Sequence, residues 1–421
     1  MRVLRARERA NEFVENLLES ELDRSRLAPV DRALCQELVC GVVRWQATLD
    51  WLIERKTEGR QQKGALQILL RLGLYQLFWL DRVPDHAAVH ETVNLTKDFG
   101  YGSQAGFVNA VLRGYTREKH ATRDALAELR ANQPALGYSH PEWLVERWTK
   151  RWGQEQTRRL LEWNNMPPRT YARGNTLRGD LSKLIEMWRM ENVEYDFKRW
   201  DWTGENLVFE LKVHPSLARL PSFRQGWFYV QDPSTLLAVR ELEPQAGDTV
   251  LDLCAAPGGK TTFMAALMED KGRIVAEDIS PDRLKLIQQN CTRLKITCIE
   301  PKASPAKTAV AKPEFDKALV DAPCSNTGVM RRRVELRWRI EPAEIDRLCG
   351  TQLELLQRAA ARLKPGGTLV YSTCSLEPEE NGAVVQRFLA EQPAFQLVRE
   401  RELLPLVDGV DGAYVAKLKR T

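Results

Sequence analysis

Four short apolar runs in the C-terminal half of the chain alternate with amphipathic stretches long enough to be helices. The runs are Thr249 to Leu253, Arg273 to Ala276, Ala318 to Val320 and Thr368 to Tyr371. Helices are expected over Thr261 to Met268, Arg283 to Leu294 and Pro342 to Leu363. Apolar runs without polar alternation are strands buried on both faces, and the helices between them return each strand parallel to the last. Residues 233–421 are therefore expected to form an α/β domain, a mostly parallel sheet with helices on both faces. Pro365-Gly366-Gly367 reads as the turn feeding the last of the four strands.

The rest of the chain follows other patterns. Ala10, Phe13, Val14, Leu17 and Leu18 recur at helical spacing. So do Leu34, Leu38, Val42 and Val43, then Leu66, Leu69, Leu70, Gly73 and Leu77. No strand-like alternation interrupts them, so residues 1–132 are expected to be an all-helical bundle ending near Gln133-Pro134. Residues 133–232 are mixed. A helix is expected from Trp143 to Trp163, then a break at Pro167-Pro168. Strands are expected at Arg169 to Arg173, Val193 to Phe197 and Leu207 to Leu211, with a helix at Leu181 to Met190. This region is read as a linker and a small α+β module. Trp143, Trp148 and Trp152 share helical spacing and are read as core.

Charge and cysteine usage narrow the function. The net charge over 421 residues is only +5, a weak pointer to nucleic acid. Arginines nevertheless cluster, at Arg2, Arg5, Arg7 and Arg9 and again at Arg331, Arg332, Arg333, Arg337 and Arg339. Such clusters suit phosphates, and Arg331 to Arg333 are expected to contact RNA. The eight cysteines include no C-x-x-C pair and there are five histidines, so neither a disulfide framework nor a metal site is expected. The most apolar stretch, Ala65 to Leu80, is interrupted by Gln67, Arg71 and Gln76. It is too short and polar to span a bilayer, and the N-terminus lacks a signal-peptide pattern. A cytoplasmic protein with no membrane partner is expected.

The first strand of the α/β region runs into Leu251-Asp252-Leu253-Cys254-Ala255-Ala256-Pro257-Gly258-Gly259-Lys260-Thr261. A glycine-rich strand-to-helix turn lets a ligand approach the backbone. Gly259-Lys260-Thr261 matches the end of a phosphate-binding loop, but the glycine that loop needs five positions earlier is Cys254 here. Pro257 also removes a backbone donor, and the dinucleotide pattern G-x-G-x-x-G is absent. The second strand ends in Glu277-Asp278, acids able to hold ribose hydroxyls. A ribose acid without a pyrophosphate loop fits S-adenosylmethionine.

Two cysteines stand at strand ends, in Asp321-Ala322-Pro323-Cys324-Ser325 and Ser372-Thr373-Cys374-Ser375. A thiolate adding to C6 of a cytosine makes C5 nucleophilic enough to take a methyl group, a covalent strategy that a nitrogen methyltransferase does not need. Lys260 and the arginines are candidate sources of positive charge for the thiolate. Asp321 can hold the cytosine edge or the cofactor's amino group. Either thiol can attack on chemistry alone. Cys35, Cys40, Cys291, Cys298 and Cys349 read as buried structural thiols, and Cys254 as a packing thiol in the turn.

The turn Asp252 to Thr261, the two thiol motifs and the following Glu379-Glu380-Asn381 resemble the NOL1/NOP2/Sun family of RNA cytosine-5 methyltransferases. Asp31-Arg32-Ala33-Leu34, Glu37 to Arg44, Leu72 to Gln76 and Phe107 to Arg113 resemble the NusB-like domain of its bacterial Sun/Fmu-type branch. Ser139 to Leu144 resembles that branch's domain junction. The resemblance implies a Rossmann-like methyltransferase domain behind a NusB-like RNA-binding bundle. It implies a monomer acting on a single flipped-out cytosine of 16S rRNA. It implies Cys374 as nucleophile, Cys324 as the group that releases the product, and Asp321 near the methionine amine. Cofactor contacts are implied for Cys254, Ala255, Ala256, Pro257, Gly258, Gly259 and Lys260, with Asp278 on the ribose. The chain departs from the family at Cys298 to Ala303, which lacks the usual Gly-Asp, with Glu300 as the candidate substitute, and at Val334, usually proline. A non-enzymatic RNA-binding or ribosome-assembly protein retaining the fold is the alternative expectation.

Overall fold

The computed structural model describes residues 1–9, 12–25, 27–60, 62, 64–205, 207–304 and 312–421. Its contacts divide the chain into a helical unit, residues 1–167 with 330–339, and a sheet-bearing unit, residues 168–329 with 340–421.

In the helical unit, Gly64–Trp79 is the central helix. Leu66, Ile68, Leu69, Leu70, Leu72, Leu74, Tyr75 and Leu77 are all buried, so this helix has apolar residues on every side. Two glycines permit close neighbours. A Cβ on Gly41 would stand 2.0 Å from the Tyr75 ring, and one on Gly73 would stand 2.6 Å from Leu112. Val14–Arg24, Pro29–Arg44, Gln46–Thr57, Asp85–Asp98, Ala105–Arg117 and Lys119–Asn132 contribute further helices. Ala10 of the expected first stripe lies outside the described residues. Glu142–Asn165 is broken at Gly153, where φ is +78°, and its Trp148 is core as expected.

The decapeptide 330–339 belongs to this helical unit, with Arg331 and Arg337 buried and Arg332, Arg333 and Arg339 part-exposed. Val334 joins the helical core. The Arg337 guanidinium is fully buried, donating to Asn165 Oδ1 at 2.8 Å and to the carbonyls of Asn164, Arg44 and Ser139 at 3.0, 3.3 and 3.3 Å. Trp338 Nε1 donates to the Val43 carbonyl, and Glu335 accepts from the Val14 amide.

The sheet-bearing unit contains two sheets. The smaller has β1 (Thr170–Gly174), β2 (Glu194–Lys198), β3 (Val208–Val213) and β4 (Phe228–Val230) in the order β2-β3-β1-β4, all antiparallel. The helix Ser182–Met190 covers one face, with Trp188 buried against Phe209 and Phe228.

The larger sheet has β5 (Thr249–Leu253), β6 (Arg273–Asp278), β7 (Ile299–Ala303), β8 (Phe315–Asp321), β9 (Leu363–Thr373), β10 (Phe395–Leu403) and β11 (Ala413–Arg420). The order is β10-β11-β9-β8-β5-β6-β7. Strands β5 to β9 pair in parallel, and β11 runs antiparallel to both β9 and β10. Along β5, Val250 faces the core under Leu236–Leu242 and Gly259–Leu267, while Leu251 and Leu253 face Pro342–Arg362. Pro365-Gly366-Gly367, expected as a turn, is an irregular stretch of β9 itself, with Gly366 at φ +72°.

Candidate active site

The chain steps outward from β5 to β6 and β7, then returns to lay β8 on the other side of β5. At such a reversal the loops leaving the two strands part, and ligands bind at the crevice between them. Here those loops are the turn after β5 and the Asp321-bearing end of β8.

The turn uses unusual backbone. Cys254 has φ +61° and Gly258 φ +99°, and Gly258 caps the helix Gly259–Leu267. A side chain on Gly259 would meet the Tyr229 ring and Gln231 Oε1, both at 3.2 Å. That Gln231 oxygen is buried without a hydrogen-bond partner, an acceptor beside the turn that suits a polar ligand group. Burial, then Asp321, pushes the Cys254 thiol up to about 12.

The two acids ending β6 separate cleanly. Glu277 points away from the turn and is held by Arg358 at 3.0 Å and Arg362 at 2.5 Å. Asp278 accepts from the Ala256 amide at 3.3 Å and the Ser280 amide at 3.1 Å, and it is paired with Arg283. Alternation along the strand sends one carboxylate to each face, so Asp278 is the acid at the turn. Ile279, which sequence reasoning passed over, is 81% exposed beside it. A large apolar side chain so placed offers a face for a purine. Glu300 is committed to Arg273, at 3.0 and 3.1 Å, and to Lys302, so it is engaged along the edge strand.

Across the crevice, Lys260 Nζ is 2.7 Å from Asp321 Oδ2, and Ser372 Oγ donates to Asp321 Oδ1 at 2.8 Å. Burial acts to lower the Lys260 ammonium, but the charges of Asp321, Cys374 and Asp252 outweigh it and the group is raised. Asp321 pairs in register with Ser372. Cys324 and Cys374 follow these paired residues by three and two positions. The two sulfurs accordingly stand 3.3 Å apart. Cys374 Sγ also donates to Asn326 Oδ1 at 3.1 Å, and Asn326 Nδ2 holds the Cys324 carbonyl at 2.6 Å. The Cys324 thiol is raised well above its usual range, by its hydrogen bond to Cys374 and then by burial.

The remaining thiols behave as structural groups. Burial pushes Cys40 and Cys298 up to about 12 and Cys291 and Cys349 up to about 11. All eight cysteines are free. Within the arginine run, burial differs from residue to residue. Arg331 is 2% exposed with its guanidinium 4.1 Å above the Trp163 ring, and Arg333 lies 4.4 Å above Phe13. Burial and ring stacking leave Arg331 little surface for a phosphate, whereas Arg332 and Arg333 are part-exposed.

Residues 239–419 match the family described as 16S rRNA methyltransferase RsmB/F. Residues 1–117 match the NusB family, and residues 140–207 match the ferredoxin-like domain of RsmF/B-like methyltransferases. A probable ribosomal RNA small subunit methyltransferase B from Bacillus subtilis is 35% identical, with 96% of this chain and 94% of that protein covered. The chain belongs to the ribosomal RNA small subunit methyltransferase B family. A probable member from Synechocystis is 37% identical, covering 92% of this chain and 87% of the relative. The crystal structure of PH0851 superposes with a TM-score of 0.82 at 25% identity, covering 99% of this chain and 97% of that one. Among the described residues no helix is long and apolar enough to cross a membrane.

Within this member of the methyltransferase B family, Gln231, Asn326 and Glu380, like Ile279, are residues at the site that sequence reasoning did not assign a role. The signal for Glu380 was its place in Glu379-Glu380-Asn381 after the second thiol. Gln231 and Asn326 carried no comparable signal, because their contacts depend on loops far apart in the chain.

Proposed function

We propose that this protein transfers a methyl group from S-adenosylmethionine to C5 of a single flipped-out cytosine in 16S rRNA, through a covalent bond between Cys374 and C6. The observation that carries this reading is the thiol pair at 3.3 Å, beside a glycine turn and the Lys260–Asp321 pair.

The residues present fit the methyl donor. Cys254, Ala255, Ala256, Pro257, Gly258, Gly259 and Lys260 supply the turn, and Asp278 the ribose acceptor. Asp321 and the orphaned Gln231 oxygen suit the methionine ammonium. Bound S-adenosylmethionine supplies an electrophilic methyl carbon. Cys374 gives up to solvent the thiol proton that it donates to Asn326 Oδ1, and attacks as a thiolate with Lys260 as the neighbouring positive charge. The new S–C6 bond displaces the C5–C6 π pair onto C5, which would take the methyl group as its bond to the donor's sulfonium sulfur breaks and leaves a neutral thioether. Cys324, after losing its own proton to solvent, removes the C5 proton. That electron pair rebuilds the double bond and expels Cys374 as thiolate. A base must leave its stack to reach such a pocket, so the target is read as extruded. Every residue in this scheme comes from one chain, so a monomer suffices.

Bisulfite sequencing of 16S rRNA from a strain lacking this protein tests the reading. One cytosine should lose its 5-methyl mark, and re-expression should restore it. An unchanged pattern of 5-methylcytosine would rule the reading out.

A further inference from the structure

Glu380 is fully buried, and both its oxygens are occupied from two different loops. Its Oε1 accepts from the Ser325 amide at 2.8 Å and from Gln352 Nε2 at 3.0 Å. Its Oε2 accepts from Ser375 Oγ at 2.5 Å and from Ser325 Oγ. Ser325 follows Cys324 and Ser375 follows Cys374. A single carboxylate therefore ties together the residues next to both thiols. Its own backbone is fixed as well, since the Tyr371 hydroxyl donates to the Glu380 carbonyl at 2.6 Å. Burial raises this carboxyl, with the four hydrogen bonds opposing that rise.

We propose that Glu380 is a positioning residue that sets the separation of the two thiols and thereby couples release to attack. The proposal rests on the covalent reading above. The attacking sulfur also has holders that do not touch Glu380, namely the charge of Lys260, the Cys374 carbonyl bond to the Gly328 amide at 2.9 Å and, for the thiol form, Asn326 Oδ1. The Cys324 loop depends on Glu380 more heavily, because Glu380 takes both the amide and the hydroxyl of Ser325. Loss of the carboxylate should therefore impair release before it impairs attack. A group displaced by about 1 Å can cost about 10²-fold in rate.

The test compares Glu380→Ala, Glu380→Gln and Ser325→Ala with the wild-type chain on rRNA and S-adenosylmethionine. Glu380→Ala should keep the KM for S-adenosylmethionine within about two-fold and lower kcat by about 10²-fold. It should also accumulate an RNA–protein adduct that survives denaturation. Glu380→Gln, whose amide oxygen still accepts from the Ser325 amide while the serine hydroxyls reorient, should recover most of the turnover without adduct. Ser325→Ala, which keeps Glu380 and the fold, should show the adduct more weakly. A second readout needs no catalysis. A diazene oxidant takes two protons and two electrons from the thiol pair, giving the Cys324–Cys374 disulfide and a hydrazine. Mass spectrometry should find this cross-link quickly in the wild type and about ten-fold more slowly in Glu380→Ala. Wild-type cross-linking in Glu380→Ala would overturn the positioning role, as would lost turnover without adduct. If Cys374→Ala remained active while cross-linking still slowed in Glu380→Ala, the covalent reading would fail and the positioning role would stand.

Discussion

The sulfur of Cys374 lies 3.3 Å from that of Cys324, and both belong to loops leaving adjacent parallel strands. The Cys324 thiol is raised well above its usual range, by its hydrogen bond to Cys374 and then by burial. In the proposed mechanism, release needs Cys324 as a thiolate. Its thiolate fraction grows as pH rises toward that elevated value, so release should accelerate with pH. Single-turnover assays on the alkaline side of neutrality should show the trapped-adduct fraction falling as pH rises. Cys324→Ala should remove that dependence.

Asp252 gives a pH effect of a different kind. Its carboxyl is buried and pushed up to about 7, chiefly by burial, against a single hydrogen bond from Thr261 Oγ1 at 2.6 Å. The folded state thus holds this proton more tightly than the unfolded chain does. Its stabilising contribution is complete below about pH 4 and is lost as pH rises through about 7. Asp252→Asn should flatten that part of the stability profile, by up to about 4 kcal/mol across the window. Urea midpoints measured at several pH values in both chains check this.

Gly328 lies against the loop of the attacking cysteine. A Cβ there would stand 2.7 Å from the Cys374 carbonyl and 2.8 Å from Gly412 Cα. Both obstacles are backbone, which cannot swing aside. Gly328→Ala should cost about 1–3 kcal/mol in stability. It should also lower kcat by about ten-fold or more, by shifting the Cys374 loop. Denaturation and steady-state kinetics on one preparation measure both effects.

Arg337 is a buried cation whose partners are oxygens of the helical unit, and burial lowers it to about 9. Arg337→Ala leaves three carbonyls without that donor. The helical unit should lose about 3 kcal/mol. Unfolding followed by tryptophan fluorescence reads this, since Trp338 sits in the same segment.

Much of the sheet was legible in the sequence because its central strands are continuous apolar runs. Val250 and Leu251 on β5, and Leu319 and Val320 on β8, are buried on opposite faces. Strands β7, β10 and β11 escaped that reading. Ile299–Ala303 contains a proline and two charged residues, and Phe395–Leu403 is a largely exposed edge. An edge strand owes its structure to pairing rather than to burial, and pairing partners are not written locally. The same limit explains the arginine run, where a charged composition suited phosphates and Arg337 is fully buried. In the active site both thiols and Asp321 were legible from their motifs. The resemblance pointed to Asp278 rather than Glu277, and the strand gives the physical reason, since the two carboxylates take opposite faces. The tie from Glu380 to Ser325 spans 55 positions, beyond any local pattern.

Cys374 as the nucleophile is the central claim. Cys324→Ala, Cys374→Ala and the double variant should be incubated with rRNA and S-adenosylmethionine, denatured, and the adducted peptide mapped by mass spectrometry. The account expects adduct in Cys324→Ala alone, attached at Cys374, with no methylation by Cys374→Ala. Adduct formation by the double variant, or full activity in Cys374→Ala, would contradict it.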